Sequence, residues 1–230
     1  MDRAEFDKFA DEYRAVHAAN IRSSGETPEY FAEYKIVDVA RQLTGMGISP
    51  NRILDFGAGV GSSVPYIRRH LPGASLTCLD VSEKSLRLAA SRFEREADFQ
   101  LFDGHSIPFP DSSFDVAFTA CVFHHVEASE HDSLLREIRR VLRPRGAFFL
   151  FEHNPLNPLT VRTVNACPFD ENAILIRASV MCKRLDEAGF STIKRRYRIF
   201  FPRALKLLRG LERMLHWCPL GAQYYISARK

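Results

Sequence analysis

The sequence predicts an α/β protein with a seven-stranded, mostly parallel sheet and helices on both faces. Between residues 52 and 151, short apolar runs alternate with segments of helical periodicity, which is typical of a parallel sheet. The apolar runs are almost unbroken, as in strands that are buried on both faces. With 230 residues and a hydrophobic fraction of 46%, the chain has ordinary length and composition for one globular domain.

Two helices are predicted ahead of the first strand, over residues 3–22 and 27–44. Apolar residues recur in both at helical spacing, and Thr27-Pro28 is a start signal for the second helix. Because both helices precede the first strand, we expect residues 1–48 to form an N-terminal helical lid over the mouth of a site on the sheet.

The central part of the chain contains five predicted strands and three predicted helices. The strands are expected at 53–56, 75–79, 98–102, 114–119 and 147–151. The helices are expected at 64–70, 83–94 and 132–142, with Ser62 or Ser63 capping the first and Ser82 the second.

The pattern loosens after residue 151. Residues 152–177 contain three prolines and no clear period, so they are expected to form an excursion over the sheet edge. A helix follows over 178–188, a strand within 190–201 and a last strand over 223–228. Residues 203–217 predict an amphipathic helix. It would expose Lys206, Arg209 and Arg213 and bury four leucines: Leu205, Leu208, Leu211 and Leu215.

The cysteines and the N-terminus indicate a cytoplasmic protein. The five cysteines are scattered without a Cys-x-x-Cys spacing, which favours reduced thiols over disulfides or a zinc site. The first residues are charged and have no apolar core, so they do not predict a signal peptide. No run of ~18 uncharged apolar residues predicts a membrane-spanning helix.

Charge is distributed unevenly along the chain. The net charge is +4, but residues 177–230 hold thirteen Lys and Arg against three Asp and Glu. Such a basic part could bind nucleic acid, an anionic lipid surface or a phosphorylated substrate. A solvated helix face is the simpler interpretation.

A glycine-rich turn follows the first predicted strand, in Asp55-Phe56-Gly57-Ala58-Gly59-Val60-Gly61. Ligands of parallel sheets bind at this edge, beyond the carboxyl ends of the strands. A dinucleotide site requires a third glycine where Ser62 stands. The Asp55 carboxylate would also repel a pyrophosphate and suits an ammonium or sulfonium group. The turn therefore favours S-adenosylmethionine (SAM) over NAD.

Six short motifs follow one another with the order and spacing of one enzyme family. They are Leu54-Asp55-Phe56-Gly57-Ala58-Gly59-Val60-Gly61, Leu79-Asp80-Val81-Ser82, Asp103-Gly104-His105-Ser106-Ile107-Pro108-Phe109, Ser113-Phe114-Asp115-Val116, Phe123-His124-His125-Val126 and Arg140-Val141-Leu142-Arg143-Pro144-Arg145-Gly146. From Ile53 to Phe151, and more weakly beyond, the chain resembles the class I SAM-dependent methyltransferases of the type 11 small-molecule group. The resemblance implies a Rossmann-like fold, methyl transfer to a small molecule, and S-adenosylhomocysteine as product.

The resemblance also implies roles for individual residues. Gly57, Ala58 and Gly59 would line the methionine and ribose portion of SAM, and Asp55 would hold its amino group. Asp80 would accept hydrogen bonds from the ribose hydroxyls, with Val81 on the adenine face. Three further positions complete the implied site: Asp103 with the Gly104 backbone at the adenine amino group, and the backbone of Ala120 and Cys121 at the methionine end. For Asp103, turn chemistry at a strand end is the alternative.

The acceptor side is less defined. Methyl transfer can rely on positioning and desolvation, but a hydroxyl or acidic C–H acceptor would benefit from a general base. His125 and His153, after the fourth and fifth strands, are the catalytic candidates, whereas His124 is expected to point elsewhere. Lid residues that could close the pocket, with core packing as the equal alternative, are Tyr13, His17, Tyr30 and Tyr34.

No metal site is predicted, because only Glu152 and Asn154 offer ligands at the ends of strands four and five. We expect residues 1–230 to form a single domain in which 152–177 and 203–217 are acceptor-side insertions. The basic C-terminal part suggests an anionic or lipid-like acceptor.

Two alternatives remain open at this point. One is a nucleic-acid methyltransferase that uses the basic part, although the chain has no Asn-Pro-Pro-Tyr-type signature and no appended RNA-binding module. The other is a SAM-binding protein without catalysis.

Overall fold

The computed structural model describes residues 13–230, apart from the side chains of Tyr13, Arg14, Ser23 and Phe169. Its strands are β1 (Arg52–Phe56), β2 (Ser75–Asp80), β3 (Asp98–Leu101), β4 (Phe114–Ala120), β5 (Leu142–His153), β6 (Ser191–Arg198) and β7 (Gln223–Arg229). Its α-helices are α1 (Tyr13–Asn20), α2 (Pro28–Met46), α3 (Val64–His70), α4 (Glu83–Phe93), α5 (His131–Val141), α6 (Pro158–Asn165) and α7 (Ala178–Glu187). Segments of 3₁₀ helix lie at Ile21–Ser24, Phe123–His125, Pro168–Asp170 and Arg203–Met214.

The strands form one seven-stranded sheet in the order β3-β2-β1-β4-β5-β7-β6. Neighbouring strands from β3 to β5 pair in parallel, whereas β7 lies antiparallel between β5 and β6. The predicted fold class, a mostly parallel seven-stranded sheet with helices, is therefore confirmed. The chain builds outward from β1 to β3 and then returns to β4, so the strand order reverses between β1 and β4. Ligands of open α/β sheets bind at this reversal.

Helices cover the sheet on both faces. Successive side chains of β5 alternate between two apolar clusters, with Phe148 and Leu150 in one and Phe149 and Phe151 in the other. All four are fully buried. This arrangement explains the unbroken apolar run of β5, since both faces of this central strand are covered.

Several predicted boundaries agree with the structure. The Thr27 hydroxyl accepts a hydrogen bond from the Tyr30 N–H at 3.4 Å and caps α2, and Ser82 caps α4 through the Ser85 N–H at 3.1 Å. β5 begins five residues earlier than predicted because Leu142 pairs with Phe114 before a register shift. Most of the helix predicted over 3–22 lies outside the described residues.

The prediction for residues 203–217 is wrong. Arg203–Met214 is a 3₁₀ segment with a kink at Leu205, where φ is −107° and ψ is 25°. Its leucines point outward, and Leu207 is 91% exposed. Instead, Glu212 is buried and accepts the Phe200 N–H at 3.1 Å, beside the Arg198 guanidinium at 3.4 Å.

The inversion has an electrostatic reason. Arg198 is partly buried, and its Nε binds Asp38 at 2.6 Å. Leaving a buried charge without a partner costs more free energy than exposing a leucine. Arg209 likewise points inward, where it binds Glu26 at 2.6 Å and lies 4.7 Å from the Tyr30 ring centre.

Within residues 13–230, no helix is long and apolar enough to cross a bilayer.

Truncating Glu212 and Leu207 tests this inverted packing. Glu212→Ala should lower the free energy of unfolding by about 1–3 kcal/mol, because the Phe200 N–H and the Arg198 guanidinium lose a buried partner. Leu207→Ala is the control and should change it by less than about 0.5 kcal/mol, since the side chain is exposed. Urea unfolding followed by circular dichroism measures both. A larger loss of stability in Leu207→Ala than in Glu212→Ala would contradict this packing.

Candidate active site

A cavity of about 950 Å³ opens at the carboxyl edge of the parallel strands, at the reversal between β1 and β4. The turns after β1, β2 and β4 form one side of its wall, and α6 with the 3₁₀ turn Pro168–Asp170 forms another. α1 and α2 also contribute wall residues. The sheet, the N-terminal helices and the excursion over 152–177 therefore meet at one cavity.

The glycine turn after β1 has a conformation that requires glycine. Gly57 has φ of +76°, and a Cβ there would lie 2.3 Å from a methyl carbon of Val122. The Gly57 and Ala58 amides donate to the Leu79 carbonyl at 2.8 and 3.1 Å, which ties the turn to β2. Gly59 has φ of +52°, and no atom of another described segment lies within 4 Å of where its Cβ would be. The main chain thus faces open space that a ligand can approach closely.

Asp55 lies at the end of β1, facing this turn. It is 2% exposed, and it accepts the hydroxyl hydrogen of Ser63, which therefore does not cap α3. Burial raises the pKa of Asp55 to about 7; the Ser63 hydrogen bond and Lys35 oppose the shift, and Asp80 adds to it. A cation placed beside this carboxyl would favour its charged form. The site suits a ligand with an ammonium or sulfonium group.

Asp80 ends β2 and organises the neighbouring backbone. Its two carboxylate oxygens accept the Gly59 N–H at 2.7 Å and the Ser82 N–H at 2.9 Å. Each carboxylate oxygen has two lone pairs, so the group can also accept hydrogen bonds from two ligand hydroxyls. Asp80 lines the cavity next to Val81, as the predicted ribose and adenine contacts require.

The residues at this end of the cavity fit SAM. Asp55 could pair with the amino group, Asp80 could accept hydrogen bonds from vicinal hydroxyls, and the glycine turn leaves room against the main chain. Ala120 and Cys121, at the end of β4, also line the cavity. The Cys121 amide donates to the Phe151 carbonyl at 2.8 Å, which fixes the backbone there.

Asp103 and Gly104 are not in the cavity wall. The Asp103 side chain is exposed, and one of its oxygens accepts the His105 and Ser106 N–H groups, each at 2.8 Å. These bonds lower the pKa of Asp103. This is the turn chemistry that the sequence offered as an alternative, and a contact with adenine stays a prediction.

Two adjacent histidines of the cavity wall face one carboxylate. His124 and His125 follow β4, and their ring centres are 4.2 Å apart. Both Nε2 atoms lie 3.4 Å from the same oxygen of Asp170. The expectation that His124 points away from His125 is therefore wrong, because a single carboxylate draws both rings to one point.

The buried carboxylate of Glu152 supports this arrangement. Its fully buried carboxylate accepts the Val122 and Phe123 N–H groups at 3.1 and 2.8 Å, and it lies 2.5 Å from His124 Nδ1. Burial alone would lower the pKa of His124, but Glu152 and Asp170 outweigh burial and raise this pKa well above its usual value. His124 thus lies between two carboxylates that favour its protonated form.

His153 has the opposite electrostatic environment. Burial, and then the charge on His124, lowers the pKa of His153 to about 4. Its Nδ1 lies 3.4 Å from the side-chain nitrogen of Gln223, whose oxygen accepts the Tyr34 hydroxyl. The Gln223 amide nitrogen is a donor, so Nδ1 accepts and the proton of the neutral ring sits on Nε2. His153 is a neutral hydrogen-bond donor at the cavity wall.

The four lid candidates differ in whether they line the cavity. His17 lines the cavity, and burial followed by the charge of Lys35 lowers its pKa to about 4. Tyr30 and Tyr34 are not in the cavity wall; Tyr34 packs on Phe151 with ring centres 6.2 Å apart. Core packing, the alternative offered for them, is therefore what the structure shows. The side chain of Tyr13 lies outside the described residues.

The sequence pattern did not reveal the carboxylate that joins the two histidines. Asp170 lies in the aperiodic excursion, where no spacing relates it to His124 or His125. The potential ligand atoms of these three side chains lie within 4.8 Å of one another. This cluster was not predicted, since no metal site was expected from the sequence. Lys35 was also not among the predicted site residues. A lysine four residues after Phe31, on an apolar stripe of a helix, was a signal for it.

Comparisons with known proteins find that this chain is similar to methyltransferases. Residues 54–150 match the family model of a methyltransferase domain. The demethylmenaquinone methyltransferase of Thermotoga maritima is 30% identical over 152 residues, which cover 66% of this chain and 61% of that protein. A probable phthiotriol/phenolphthiotriol dimycocerosates methyltransferase of Mycobacterium ulcerans is 33% identical over 120 residues, or 50% of this chain and 44% of that protein.

The fold also matches solved structures. A SAM-dependent methyltransferase from Thermotoga maritima, described as a possible histamine N-methyltransferase, superposes with a TM-score of 0.69. The match covers 99% of both chains at 18% identity, so it speaks for the fold alone. The chain spans less than two thirds of the length of both curated relatives.

Removing the Asp80 carboxylate should weaken SAM binding. Asp80→Ala deletes a charged hydrogen-bond acceptor, so the affinity should fall by about 1–3 kcal/mol, or about 5- to 150-fold. Isothermal titration calorimetry measures this change. Asp98→Ala removes an exposed carboxylate from the neighbouring strand β3 and should leave the affinity unchanged. Equal affinities in both variants would exclude Asp80 from the site.

SAM binding should also depend on pH through Asp55. With a pKa of about 7, the free carboxyl is protonated below that pH, whereas the form that pairs with an ammonium group is ionised. Binding must therefore expel a proton, and the affinity should fall as the pH drops from about 7 to 5.5, approaching tenfold per pH unit. Calorimetry in buffers of different ionisation enthalpy detects the released proton. Asp55→Asn should bind weakly and without this pH dependence; a flat profile for the unaltered protein contradicts the assignment.

Proposed function

Because the chain carries a class I SAM-dependent methyltransferase domain, we propose that it methylates a small, lipid-like molecule. The observation that carries this proposal is the shared cavity. Asp55, Asp80 and the glycine turn lie at one end of it, and the His124–His125–Asp170 cluster lies on another part of its wall. Cofactor and acceptor can therefore meet inside one enclosure.

Bound SAM supplies an electrophilic methyl group on a sulfonium, and the acceptor atom bonds to this carbon as the carbon–sulfur bond breaks. Asp55 would hold the amino group, and Asp80 would orient the ribose. The protein gains rate chiefly by alignment of the acceptor and by exclusion of water. The remaining chemical need is a group that takes the proton from a hydroxyl or acidic C–H acceptor.

His125 is the proposed general base, with Asp170 as the residue that orients its ring. Glu152 and Asp170 favour the protonated form of His124, and an imidazolium cannot accept a further proton. His153 is neutral, but a pKa of about 4 makes it a weak base. We assign it a different role, in which its Nε2–H donates a hydrogen bond that positions the acceptor.

The acceptor end of the cavity is largely apolar. Val164, Ile199 and Phe200 line it together with Leu159, which is 75% exposed. Arg162 lies on the same side and suits an anionic group on the acceptor. Relatives named for demethylmenaquinone and for phthiotriol dimycocerosates support a lipid-like acceptor.

Two basic residues of the C-terminal part are paired within the fold, so its available charge is lower than the sequence suggests. Arg198 and Arg209, which contribute to the basic C-terminal part, are paired with Asp38, Glu212 and Glu26 inside the fold. Such pairing reduces the charge available to phosphates. The histidine cluster beside the cofactor end, in turn, favours an enzyme over a SAM-binding protein without catalysis.

Methyl transfer to lipid-like acceptors can be measured directly. The protein is supplied with SAM carrying a tritiated methyl group, together with demethylmenaquinone or a bacterial lipid extract, and label in the organic phase is counted. His125→Gln should lower kcat by about 10²- to 10⁴-fold, as expected for loss of a general base, and should leave SAM affinity unchanged. His105→Gln, on an exposed side chain outside the cavity wall, is the control.

Two results would overturn parts of this proposal. Full activity in His125→Gln excludes it as the base. Loss of activity with a chelator, restored by a divalent cation, would instead identify His124, His125 and Asp170 as metal ligands.

A further inference from the structure

Between Arg203 and Leu220, large apolar side chains face solvent, whereas Arg209 and Glu212 face the protein. Seven large apolar side chains on it are exposed, which we call the apolar platform. They are Leu205 (47%), Leu207 (91%), Leu208 (41%), Leu211 (50%), Met214 (73%), Trp217 (78%) and Leu220 (61%). Large exposed apolar patches on soluble proteins mark interaction sites.

The exposure follows from fixed contacts of the segment. Glu212 accepts the Phe200 N–H, and Arg209 binds Glu26. The Tyr197 N–H donates to the His216 carbonyl at 2.9 Å, which anchors the segment to β6. Since these polar groups face the protein, the apolar side chains on the other side of the segment are directed to solvent.

The platform borders the mouth of the active-site cavity. Ile199, Phe200 and Pro202, just before the segment, line the cavity. At the other end, the Leu220 carbonyl accepts the side-chain N–H of Asn157 at 2.7 Å, and Asn157 lines the cavity as well. An apolar surface on the platform would therefore lie beside the entrance for the acceptor.

Positive charge accompanies the platform. Arg203, Lys206 and Arg213 are exposed within it. Residues 191–230 contain ten Lys and Arg and a single acidic residue, Glu212, which is buried. Leucines and a tryptophan among cations match an anionic bilayer, which offers an apolar interior beneath a negative surface. A second copy would place the same cations against each other.

We propose that the apolar platform docks this protein onto the surface of an anionic lipid bilayer. Leu207, Met214 and Trp217 enter the interfacial region, while Arg203, Lys206 and Arg213 contact the lipid head groups. Docking places the cavity mouth where a lipid-borne acceptor can enter. Only this last consequence rests on the proposed function; the docking does not.

Trp217 makes the test direct, because it is the only tryptophan of the chain. The full chain is mixed with vesicles of phosphatidylcholine alone or with phosphatidylglycerol added. Flotation measures binding, and tryptophan fluorescence reports the environment of the platform. We expect flotation with the anionic vesicles, a blue shift of the emission, and quenching by brominated acyl chains. Higher salt should weaken binding.

Variants separate docking from folding and from methyl transfer. Leu207→Ser with Met214→Ser should reduce vesicle binding by more than about tenfold, from the apolar area lost. Lys206→Glu with Arg213→Glu should reduce it selectively on anionic vesicles. Leu101→Ser, at an exposed leucine on β3, should bind like the unaltered protein. SAM affinity, measured for each, should stay unchanged and shows that the variants are folded.

The proposal is overturned if the protein floats with neither vesicle and its emission does not shift. It is also overturned if the emission shifts with protein concentration alone and sedimentation shows a dimer, because a second copy would then cover the platform. Loss of flotation in variants that still bind SAM concerns docking only. Vesicle binding by a protein that transfers no methyl group would instead contradict the proposed function.

Discussion

The histidine cluster of the cavity depends on the buried carboxylate of Glu152. This group lies near the end of β5, accepts the backbone N–H groups that open the turn after β4, and pairs with His124. Burial makes an uncompensated charge at this position very costly. Glu152 therefore favours both the shape of the turn and the protonated form of His124. Asp170, in the excursion over 152–177, lies 3.4 Å from Nε2 of His124 and of His125.

The two ends of the cavity are built on different physical bases. At the cofactor end, a backbone turn restricted to glycine and two strand-terminal acids form the wall, and their positions follow from the parallel sheet. At the acceptor end, the wall consists of side chains from segments far apart in the chain. The electrostatic environments there diverge, since His124 is held charged while His153 is held neutral. Such a divergence allows neighbouring histidines to have separate tasks.

The outward-facing leucines follow the same rule as Glu152. Arg198 is partly buried beside Asp38 and Glu212, and this network determines which side of the segment faces the protein. Hydrophobic periodicity, which correctly predicted strands and helices from β1 to β5, fails here because it assumes that the apolar side is buried. A buried ion network reverses that assumption, and the resulting surface lies next to the cavity mouth.

The amino-acid sequence by itself determined the sheet and placed Asp55, Gly57 and Asp80 at the carboxyl edge of its parallel strands. These follow from local patterns, because each strand and the turn after it are continuous in the chain. Only the tertiary structure decided that His124, His125 and Asp170 meet, that Tyr34 packs in the core, and that Leu205, Leu208 and Leu211 face outward. Those outcomes depend on pairing between distant segments and on the cost of buried charge, neither of which has a signature in residue spacing.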